Sequence, residues 1–149
     1  MSGDASDEPA AVLPWAGREI TRVAVDSQLR LLFDDGAELV VAAPLTLTGP
    51  AATDTVAPGE LGTLAPALTL LWQTATAAVV DADDVLVLTF RGGTVLRVPA
   101  HPHYEAWNAT GAGWNGKGAD DWMVVSTPGG RLAVWGEPPE GARFSSDAF

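Results

Sequence analysis

The sequence predicts a mainly β (α+β) fold: a single antiparallel β-rich domain with one short helix. Three observations carry that expectation. Residues 29–41 (LRLLFDDGAELVV) and 86–98 (LVLTFRGGTVLRV) superpose at a constant offset of 57, placing Leu29, Leu31, Phe33, Gly36, Leu39 and Val41 on Leu86, Leu88, Phe90, Gly93, Leu96 and Val98. Each copy alternates apolar with mostly polar residues, turns at Asp35-Gly36 or Gly92-Gly93, and alternates again, which is the pattern of a β-hairpin. Helical spacing occurs at Leu61, Leu64, Leu68 and Leu71, where Pro66 starts or kinks the helix.

In chain order, residues 1–14 have the acidic, Pro- and Ala-containing character of a disordered tail, and the domain is expected over 15–136. Ile20, Val23 and Val25 form a strand before the Asp26-Ser27 turn and the first hairpin, giving a three-stranded meander. Residues 43–60 (APLTLTGPAATDTVAPGE) read as loop, and the short helix that follows is expected to cover a sheet face. Residues 75–80 precede the second hairpin and complete a second, related meander. A C-terminal hairpin uses residues 104–110 and 122–126. The run MVVSTPGGRLAVW then turns at Pro128-Gly129, where proline suits the second turn position and glycine the third. Residues 137–149 read as a second disordered tail.

A chain of 149 residues with 47% hydrophobic content fills one core. Its net charge of −11 repels nucleic acid and anionic membranes, and either serves solubility or steers a basic protein partner. There is no cysteine, so neither disulfides nor thiolate metal sites are expected. The acidic opening residues lack a secretory pattern, which points to a cytoplasmic protein. Residues 61–80 carry no charge, but their Gly, Pro, Gln and Thr content makes a membrane span unexpected.

Gly111 opens GAGWNGKG, which scans both as G-x-G-x-x-G and as an incomplete phosphate loop. A phosphate loop must open a helix, whereas strand-like residues follow here and Gly118 stands where a magnesium-binding hydroxyl belongs. A hairpin loop without nucleotide or other cofactor is the reading. His101, His103 and Glu105 share a face if extended, but Pro102 between the histidines favours a turn, so no metal is expected. No pattern for nucleophilic catalysis occurs, and the protein is not expected to be an enzyme. Trp107, Trp122 and Trp135 lie on strand patterns and are expected in or against the core. Trp114, among glycines, is the candidate partner anchor, with Asp120 and Asp121 beside it and Trp107 as a further contact.

Tyr104-Glu105-Ala106-Trp107, and Pro128-Gly129-Gly130 with Leu132-Ala133-Val134-Trp135, resemble the motifs of a family of small actinobacterial proteins known as a domain of unknown function. The likeness runs from about Trp15 to Trp135 and implies a fold and a lineage rather than a reaction. The histidines at 101 and 103 stand where the resemblance leads one to expect acids, and the 111–121 loop is longer than in the family pattern. The function expected is a non-enzymatic binding module engaging a protein partner, in the manner of an immunity-type inhibitor. The alternative is a small-ligand pocket between sheet and helix.

Overall fold

The alternation in the two repeat copies folds as read. The first copy gives β2 (Ile20–Val25), β3 (Leu29–Phe33) and β4 (Glu38–Val41), and the second gives β7 (Ala75–Val80), β8 (Leu86–Phe90) and β9 (Val95–Val98). The computed structural model describes residues 8–112 and 121–144. Apolar members of each alternation face inward, so β3 and β8 show the same buried and half-buried pattern.

The likeness of the two meanders reaches individual hydrogen bonds. Both hairpins close from the phenylalanine: Phe33 N–H donates to the Ala37 carbonyl and Phe90 N–H to the Thr94 carbonyl, each at 2.9 Å. Gly36 and Gly93 take left-handed backbone at φ 89° and 95°, where a side chain is disfavoured. Both first strands carry a bulge, between Ile20 and Arg22 and between Ala75 and Ala77. The residue in each bulge is a threonine whose hydroxyl donates across the ladder, Thr21 to the Leu32 carbonyl and Thr76 to the Thr89 carbonyl. The offset is 55 before the first turn and 57 after it, because Asp81 to Val85 is two residues longer than Asp26 to Gln28.

Each meander is completed by a hairpin that belongs to the other half. β5 (Leu45–Thr48) and β6 (Thr53–Val56) follow β4 in sequence, yet β5 pairs with β9. β10 (Trp107–Thr110) and β11 (Met123–Ser126) follow β9, yet β10 pairs with β4. With β1 (Ala11–Val12), β12 (Leu132–Trp135) and β13 (Arg143–Phe144), the sheets run β13-β1-β7-β8-β9-β5-β6 and β12-β11-β10-β4-β3-β2. An antiparallel bridge between Glu19 and Thr74 joins the two. At the offset of 55 these are equivalent residues, so the bridge marks a pseudo-twofold axis. Inward residues of both sheets form one core, in which Trp15 stacks on Phe33 at 4.4 Å between ring centroids.

Three expectations are corrected. Residues 43–60 contain the β5–β6 hairpin, since Leu45 and Leu47 supply enough alternation to bury one face of a four-residue strand. The segment after it forms 3-10 turns at Leu61–Thr63 and Ala65–Leu70 rather than an α-helix. Pro66 lies in the first turn, neither turn has a side-chain cap, and the stretch is too short to hold an α-helix. The domain boundaries also move outward: Ala11–Val12 pairs with β7, and Arg143–Phe144 pairs with β1, so parts of both expected tails are sheet. Among the described residues no helix is long and apolar enough to cross a membrane.

Candidate functional site

Of the expected contact residues, Trp114 and Asp120 lie outside the described residues. Asp121 is half-buried, with its carbonyl packed against Gly136, which adopts φ 82° there. Trp107 is only 1% exposed, so its ring belongs to the core and offers no face to a partner. Trp122 is likewise buried, its ring lying over Gly111, where any side chain would collide with it. Trp135, at 48%, stands out on the edge strand β12.

The His101 to Glu105 segment is a bend, not a strand. His101 stacks on Tyr104 at 3.6 Å, and its Nδ1 accepts the His103 N–H at 3.1 Å. Among the described residues no three His, Asp or Glu side chains converge on a metal position. The acidic pairs also have local explanations. Asp34 and Asp35 meet Arg18 at 3.6 and 3.7 Å, and the Asp81 carboxylate accepts the N–H groups of Asp83 and Val85. Asp84, at φ 64°, has its carboxyl pushed above the usual value, first by burial and then by Asp81 and Asp83.

Among the described residues the largest apolar display is the strip 61–72. A helix of 3.0 residues per turn buries every third residue, and Leu64, Ala67 and Leu70 are the ones inside. Leu68 falls between those positions and is 54% exposed; Leu61, in the separate first turn, and Trp72, beyond the second, are 86% and 61% exposed, with Leu71 beside them. Trp72 also adopts φ 70°, a left-handed conformation that a large L side chain resists. Its backbone is clamped there. Trp72 N–H donates to the Ile20 carbonyl at 2.8 Å, Ile20 N–H to the Gln73 carbonyl at 2.9 Å, and Gln73 N–H to the Leu70 carbonyl at 3.1 Å. The result is an exposed aromatic ring carried on a hydrogen-bonded backbone within an apolar strip.

Beside the strip, a groove of about 500 Å³ runs between the β5–β6 hairpin and the second 3-10 turn. Leu47, Pro50, Ala52, Ala65 and Pro66 line it, and among the described residues Asp54 is the one charged residue in its lining. Sequence reasoning missed the exposure of the strip. Leu61, Leu64, Leu68 and Leu71 fit an α-helical face, whereas in the structure only Leu64 of the four is buried, with Ala67 and Leu70 inside after it at intervals of three.

Fold and surface together define a small two-sheet β protein with an internal pseudo-twofold and an apolar display on one connector. The chain belongs to DUF6188, a family of unknown function whose model matches residues 11–136. No curated protein and no solved structure matches it.

Proposed function

We propose that the protein is a non-enzymatic binding module that engages a protein partner through the strip 61–72. The observation that carries this reading is Trp72: a large ring, mostly exposed, on a left-handed backbone that glycine, Gly17, takes at the equivalent position of the other half. Exposed aromatics held rigidly lose little entropy on binding and often dominate interface energies. A net charge of −11 favours encounter with a basic surface, as in an acidic inhibitor that occludes its target.

A second reading, a small apolar ligand in the groove, is favoured by the volume and lining between hairpin and 3-10 turn. The test uses tagged wild type, Trp72→Gly and Leu68→Asp as baits in extracts of the native host, followed by reconstitution with each purified candidate. A protein that binds wild type and is lost from both variants supports the partner surface. Equal capture by all three overturns it, and a small molecule retained by wild type and both variants favours the groove.

A further inference from the structure

The outer edge of β6 is the second unusual feature of this region. Gly49 N–H donates to the Ala52 carbonyl at the hairpin turn, so residues 49 and 52 form a hydrogen-bonded pair. Counting along the register, Asp54 opposite Leu47 and Val56 opposite Leu45 turn their backbone groups toward β5. Thr53 and Thr55 therefore turn theirs away. β6 is the terminal strand of its sheet, and no backbone partner occupies that side among the described residues. All of Thr53, Asp54 and Thr55 are exposed.

Side-chain alternation fixes what fits there. Asp54 shares the inward side with Val56, at the rim of the groove, and forms no ion pair among the described residues. An incoming strand places alternate side chains on that side. The one opposite Asp54 meets an unpaired carboxylate, and the one two positions along meets the apolar lining formed by Pro50, Ala52, Ala65 and Pro66. A second copy of the chain is a poor occupant, because it brings another acidic edge and another net charge of −11. An inward-pointing charge on a short edge blocks self-pairing while leaving the edge open to a cationic strand.

We infer that the β6 edge takes up an extended segment of the partner by strand addition, with a Lys or Arg against Asp54 and an apolar side chain two residues away in the groove. The inference rests on the protein-binding reading and names a different contact within it.

The test is a titration of the ¹⁵N-labelled chain with acetyl-Thr-Lys-Thr-Val-Thr-Lys-Thr-amide, against the same peptide with Glu for Lys, followed by amide chemical shifts. The expected result is saturable shifts centred on Thr53–Val56, with the Glu peptide at least tenfold weaker. Thr55→Pro removes an outward N–H without touching a β5 bond and should abolish the shifts, while Asp54→Asn should erase the preference for Lys. Trp72→Gly should leave the peptide shifts intact, which separates this edge from the strip. No shifts with either peptide, shifts confined to residues 61–72, or unchanged binding by Thr55→Pro would each overturn the inference.

Discussion

Facing the core, the first meander presents Leu29, Leu31, Phe33, Leu39 and Val41, and the second presents Leu86, Leu88, Phe90, Leu96 and Val98. Facing outward at matching positions stand Arg30, Leu32, Glu38 and Val40 against Val87, Thr89, Val95 and Arg97. Packing therefore tolerates little change inside, while the outward positions have diverged freely. The segments leading into the two meanders differ more sharply. Before β2, Leu13 and Trp15 are buried and Trp15 stacks on Phe33. Before β7, Leu71 and Trp72 are exposed. At the offset of 55, Trp15 corresponds to the buried Leu70, and Trp72 to Gly17, which takes the same left-handed backbone at φ 84° and donates the matching bond to the Ala75 carbonyl. The fold thus asks for that backbone in both halves and for the displayed ring in neither.

The inward equivalence is tested most strongly at the phenylalanines. Phe33→Ala and Phe90→Ala should each cost about 3 to 5 kcal/mol in urea unfolding. Phe33 should be the more costly, because Trp15 loses its stacking partner. A loss under about 1 kcal/mol at either position breaks the equivalence.

The turn glycines sharpen it. Gly93→Ala meets no neighbour within 4 Å and pays only for left-handed backbone, about 1 kcal/mol. Gly36→Ala should cost more, since its new methyl meets Ala112 at 3.1 Å. Equal losses in urea unfolding would show that the Ala112 contact yields freely.

The smallest effect falls on the turns that differ in length. Burial and two neighbouring carboxylates raise the Asp84 pKa in the folded chain, so the folded state holds that proton more tightly. Stability from this group is thus undiminished below the ordinary Asp pKa and declines as pH rises through the raised value. Asp84→Asn should flatten the stability profile over that window. A profile unchanged by Asp84→Asn removes the distinction.

Local alternation made both meanders legible, because a five-residue strand with Leu at positions 1 and 3 and Phe at position 5 has few other readings. The exchange of hairpins between halves was not legible: β4 meets β10 across more than sixty residues, and nothing in either strand's own pattern names its partner. The β5–β6 hairpin hid behind Pro44, Pro50 and a run of small residues. Trp72 was hidden differently. It directly follows the apolar run that ends at Leu71, and its left-handed backbone is held by long-range bonds to Ile20 that no local window contains.

The central claim, that Trp72 is displayed for contact and not for packing, is tested most directly by calorimetric titration of the purified partner into wild type and Trp72→Gly. Glycine relieves the left-handed backbone, so the variant should stay within about 1 kcal/mol of wild-type stability. It should nevertheless bind roughly thirty-fold more weakly, about 2 kcal/mol. Wild-type affinity in a folded Trp72→Gly chain would contradict the account.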